Sequence, residues 1–93
     1  MKSVLQENKE CYVCASNLNL HEHHVFFGSA NRKKSEVYGM KVWLCARHHN
    51  MSNGGVHSNR ELDLRIKKMA QAYFEANIGT RDRFRKEFGK SYL

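Results

Sequence analysis

The apolar residues of this chain do not keep a single period. From Leu18 to Phe27, the residues Leu20, Val25, Phe26 and Phe27 stand among polar neighbours, as in a strand or hairpin arm. Gly28 to Ser35 is a polar run, Gly-Ser-Ala-Asn-Arg-Lys-Lys-Ser, and its composition predicts a basic loop. Val37-Tyr38 and Lys41-Val42-Trp43-Leu44 flank Gly39 and, being β-branched and aromatic, predict a second strand. A short helix is expected from Ala46 to Ser52, ended by Gly54-Gly55. The period then turns helical. Leu62, Ile66, Met69 and Tyr73 form one stripe through about Asn77, behind Ser58 and Glu61 at capping-box spacing. Gly79 predicts the stop, and Thr80 caps a last helix carrying Phe84 and Phe88 at i and i+4. Short strands first and helices last define an α+β class.

At 93 residues the chain has room for one domain, 1–93, with a ligand-rich part at 11–57 and a helical part at 58–93. A domain of this size buries only roughly 60–65% of its unfolded surface, so a metal staple would add needed stability. Mean hydropathy is −0.71, and no apolar run nears the roughly 18 residues of a membrane span. The first residues lack the apolar core of a signal peptide, so a cytoplasmic location without membrane partners is expected. The net charge of +7 is uneven, at −1 over residues 1–30, +4 over 31–57 and +4 over 58–93. A basic surface of this kind suits a polyanion such as DNA, although charge alone names no partner.

Cys11-Tyr12-Val13-Cys14 is a CxxC pair, and Cys45-Ala46-Arg47-His48 is a CxxH pair. A two-residue gap lets both members of a pair reach one tetrahedral ion, and together the pairs use all three cysteines. No thioredoxin-like βαβ pattern surrounds the CxxC, which argues against a redox pair. The expected assignment is a structural Zn²⁺ on Cys11, Cys14, Cys45 and His48. A knuckle, a hairpin and a second knuckle opening a helix describe a treble-clef arrangement.

Five histidines remain: His21, His23, His24, His49 and His57. Alternation along a strand puts His21 and His23 on one side, and Glu22 and His24 on the other. If the knuckles close on zinc, His49 is pinned beside the hairpin, where it can converge with His23 and His24. A knuckle followed by His-His-Val, then Leu-Cys-x-x-His-His and Gly-Val-His, resembles the HNH, or ββα-metal, endonucleases. The likeness is greatest to small phage-encoded members, including recombination-enhancement nucleases, and it covers roughly Cys11 to His57. The resemblance implies that His23, His49 and His57 hold a catalytic divalent ion and that His24 is the general base. It also implies DNA cleavage to 5′-phosphate and 3′-hydroxyl ends in a phage-infected bacterial cell. The usual Asn ahead of Leu-Cys is missing from Gly39–Trp43, so Asn31 and Asn50 are the candidates for orienting the base. His21 reads as a surface residue or a partner of the ligands.

The chemistry agrees with that resemblance. Phosphodiester hydrolysis needs a base working near neutral pH, which imidazole supplies, and a divalent ion to stabilise charge on the phosphate. Mg²⁺, Mn²⁺, Ni²⁺ or Zn²⁺ could fill the second site, an all-histidine shell being softer than Mg²⁺ prefers. Arg32, Lys33, Lys34 and Arg47 are the candidate phosphate contacts. One site makes one cut, so a monomer should nick, while a double-strand break needs a dimer or two events; a monomer or weak dimer is expected. The alternatives are a zinc-stapled DNA-binding module without catalysis, or a factor that docks a phage or host protein through an apolar patch near Tyr73, Phe84 or Phe88.

Overall fold

A computed structural model describes residues 2–49 and 55–93 of the chain. The order of elements is β1 (Leu20–His24), α1 (Ser29–Tyr38), β2 (Lys41–Cys45), α2 (Ala46–His49), α3 (Arg60–Asn77) and α4 (Arg81–Phe88). The two strands pair antiparallel, with His21 opposite Leu44, His23 opposite Val42 and His24 opposite Lys41. Among the described residues, no helix is long and apolar enough to cross a membrane. The class is α+β, as expected.

The connection between the strands differs from the expected hairpin. The polar run after Gly28 is helical, and Val37 and Tyr38 belong to its end rather than to a strand. Helix α1 carries no aliphatic stripe because its inward face is made of small polar groups and one aromatic. Ser35, fully buried, accepts from Phe26 N–H at 3.2 Å and donates to the Phe26 carbonyl at 2.8 Å. Asn31 Nδ2 donates to the Phe88 carbonyl at 3.2 Å, and Tyr38 meets Phe74 with ring centroids 5.4 Å apart. A helix tied down by hydrogen bonds leaves no hydrophobic period to read. Gly39 ends it in the left-handed conformation (φ 70°), where an added Cβ would stand 2.6 Å from the Lys2 carbonyl oxygen. The N-terminal segment crosses there, and Val4 N–H donates to the Gly39 carbonyl.

The core draws on both halves of the chain. Phe26 stacks among Phe84 and Phe88, with centroids 5.2 and 4.5 Å away, and Phe74 closes the group against Phe84 at 5.3 Å. These rings are buried, together with Val25, Met40, Val42, Leu44 and Ile66. The buried stripe of α3 is Leu62, Ile66, Ala70 and Phe74, while Met69 and Tyr73 pack at its margin. Asn59, not Ser58, caps α3 by accepting from Leu62 N–H at 3.1 Å. Thr80 caps α4 as expected, accepting from Arg83 N–H. Because Phe84 and Phe88 face inward, they cannot belong to an exposed docking patch.

Candidate metal centres

Two clusters rich in Cys or His draw on β1, β2 and α2, and adjacent residues of α2, His48 and His49, serve one each. The first joins Cys11 and Cys14 to Cys45, the last residue of β2, and His48 in α2; their ligand atoms all lie within 4.8 Å of one another. Cys14 and Cys45 sulfurs are 3.8 Å apart, and His48 Nδ1 stands 3.3 Å from Cys45 Sγ and 3.6 Å from Cys11 Sγ. Two sulfurs held about 2.3 Å from one tetrahedral ion stand about 3.8 Å apart, so the spacing fits zinc. The backbone prepares the first knuckle. Tyr12 N–H donates to the Trp43 carbonyl at 2.8 Å, fixing it beside β2, and Ala15 turns the chain with φ 62°. Burial works to raise the Cys11 thiol's pKa, but hydrogen bonds from the Cys45, Cys14 and Val13 backbone and from His48 outweigh it and bring the thiol down to about 6. Three thiols this close cannot all ionise without a cation among them.

The second cluster is built from histidine alone. His23 points from the sheet face that carries Val42 and Leu44 of β2, His49 closes α2, and His57 lies just before α3. Their ligand atoms lie within 4.8 Å of one another. His57 Nε2 is 3.2 Å from His49 Nε2, a separation two nitrogens keep around one shared ion. His23 is only 3% exposed, and its buried Nε2 has no hydrogen-bond partner among the described residues. Such an orphaned nitrogen costs free energy unless something binds it, which an ion would do. Burial, followed by the nearby His49, His57, Lys67 and His24, lowers the His23 pKa to about 3. Burial also lowers His49, with His57 and His21 adding to the effect. Both rings therefore keep the lone pairs a metal needs. His21 Nδ1 lies 2.9 Å from His49 Nδ1, so it contacts a member of the histidine cluster.

His24 leaves β1 on the opposite face, as alternation requires, yet it shares one open cavity of about 200 Å³ with the second cluster. Glu22, Phe27 and Arg32 complete that cavity's wall. His24 Nε2 is 3.0 Å from Glu36 Oε1, and Lys41 Nζ reaches Glu36 at 3.0 Å and Glu22 at 3.4 Å. Asn31 does not join them: its amide is committed to the Phe88 carbonyl across the molecule. Asn50 lies outside the described residues. Among the basic candidates, Arg32 lines the histidine cavity, and Lys33 lies on the adjoining open surface with His24. Lys34 pairs instead with Glu87 of α4 at 3.6 Å, and Arg47 sits exposed beside the cysteine cluster. Glu36 and Lys41 went unnoticed in the sequence because a helix was needed to bring them to His24. The only signal was their five-residue spacing across Gly39.

No protein-family model matches the chain, and neither does any curated protein or any solved structure.

Proposed function

We propose that the chain is a metal-dependent endonuclease of the HNH, treble-clef type that nicks DNA, with zinc on Cys11, Cys14, Cys45 and His48 as a structural staple. The observation that carries this reading is the convergence of His23, His49 and His57 in a cavity shared with His24 and Arg32. A three-histidine set beside a fourth, separate histidine suits hydrolysis better than a second structural site, because structural zinc takes four closed ligands. His23, His49 and His57 would hold a divalent ion, which would supply Lewis acidity toward the phosphate and its leaving 3′ oxygen.

The protein's own groups do the rest. Arg32 binds a phosphate oxygen from the cavity wall by charge-assisted hydrogen bonds and sets the strand across the histidines. His24 accepts a proton from the attacking water as its oxygen bonds to phosphorus and the P–O3′ bond breaks, and the leaving 3′ oxygen takes its proton from solvent water. Phe27, with its ring 5.2 Å from that of His57, covers one side of the cavity and limits water there. The products are a 5′-phosphate and a 3′-hydroxyl end, in keeping with one cut per site.

Plasmid relaxation with Mg²⁺, Mn²⁺ or Ni²⁺ tests the reading. Wild type should convert supercoiled DNA to the open circle, and His24→Ala should lose about 10²–10⁴-fold in rate. Equal rates for the two proteins would refute the catalytic role, and DNA binding without any nicking would leave a zinc-stapled binder.

A further inference from the structure

The base in this reading needs a partner to hold its ring, and the chain has no asparagine in the cavity wall among the described residues. We propose that Glu36 is the positioning residue for His24, fixing its imidazole through Nε2 and leaving Nδ1 as the nitrogen that takes the proton. For its catalytic consequence the inference rests on the nuclease reading; the His24–Glu36 pair itself does not.

Three observations lead there. The Nε2–Oε1 distance of 3.0 Å is that of a good hydrogen bond, and a carboxylate oxygen can only accept, so Nε2 carries the proton in this pair. A neutral imidazole with a protonated Nε2 has its lone pair on Nδ1. The carboxylate is itself held. Lys41 lies directly opposite His24 in the β1–β2 register, its side chain is only 6% exposed, and its ammonium bridges Glu36 at 3.0 Å and Glu22 at 3.4 Å. A buried ammonium must keep its carboxylates, so Glu36, although its side chain is 43% exposed, is tied to a buried charge.

The backbone explains why this residue arrives there. Glu36 sits in the last turn of α1, and its carbonyl accepts from Gly39 N–H at 3.3 Å. The left-handed turn at Gly39 then reverses the chain into β2, so Glu36 and Lys41 meet five residues apart. Ser35, buried beside it and bonded to both the N–H and the carbonyl of Phe26, locks the helix to the chain just beyond β1. The insertion of a helix between the strands is therefore what delivers a carboxylate to the base.

The test uses the full-length, zinc-loaded protein and the variants Glu36→Ala, Glu36→Gln and His24→Ala. The amide oxygen of Gln can still accept from Nε2–H, so Glu36→Gln separates orientation from charge. Two-bond proton–nitrogen NMR correlations of the imidazoles, at one mildly alkaline pH, report the His24 tautomer without any turnover. Wild type and Glu36→Gln should hold His24 in the Nε2–H form, and Glu36→Ala should lose that preference. In plasmid relaxation, Glu36→Ala should lower kcat about 10–100-fold with little change in KM, and Glu36→Gln should recover most of it. An unchanged His24 tautomer in Glu36→Ala overturns the proposal, as does an unchanged kcat. If wild type itself fails to nick, the nuclease reading falls, and the tautomer comparison alone decides the fate of the His24–Glu36 pair.

Discussion

Acidification should expose how much stability rests on a single buried imidazole. His23 is 3% exposed, and burial among His49, His57 and Lys67 holds its pKa at about 3, against about 6.5 for an unperturbed histidine. The folded state therefore binds this proton less readily than the unfolded chain. Stability associated with His23 is present in full above about pH 6.5 and is lost as the pH falls toward 3. Between pH 7 and pH 4 the linkage amounts to about 3 kcal/mol. That is a large share of the roughly 5–15 kcal/mol available to a small domain, and it corresponds to a fall in melting temperature of about 10–20 °C. The assay is thermal unfolding followed by circular dichroism at a series of pH values, on protein carrying one equivalent of zinc. His23→Gln, of similar size but without a titrating ring, serves as reference. Protonation of the Cys11, Cys14, Cys45 and His48 cluster acts on both proteins alike, so the difference between the two pH slopes isolates His23. Identical slopes would refute the reasoning, because they would mean that the ring takes up its proton as easily in the fold as outside it.

Two further outcomes probe other parts of the structure. Ser35→Ala removes the partner of both the N–H and the carbonyl of Phe26 at a fully buried position, and should cost about 1–3 kcal/mol in urea denaturation. A loss near zero would mean that α1 does not depend on this link. Arg32→Ala should weaken binding to a DNA duplex and reduce the salt slope of log K by about one, measured by fluorescence anisotropy, while Lys34→Ala, engaged with Glu87, should leave the slope nearly unchanged. Equal slopes for all three proteins would exclude Arg32 as a phosphate contact.

The amino-acid sequence by itself determined the local features that short-range spacing encodes. Two-residue gaps announced Cys11 with Cys14 and Cys45 with His48, and the four ligand atoms do meet. Alternation along β1 sorted His23 from His24, since successive side chains of a strand must point opposite ways. Period 3.6 marked α3, and Thr80 marked the start of α4. Only the tertiary structure decided what lies between the strands. Helix α1 has no apolar stripe; its inward Asn31 and Ser35 are satisfied by partners 57 and 9 residues away, which no local pattern reveals. The same long-range bonds removed Asn31 from the candidate site and turned Glu36 toward His24. A hydrophobic face is written in a sequence as a period, whereas a polar face that folds inward is defined only by the groups it meets there.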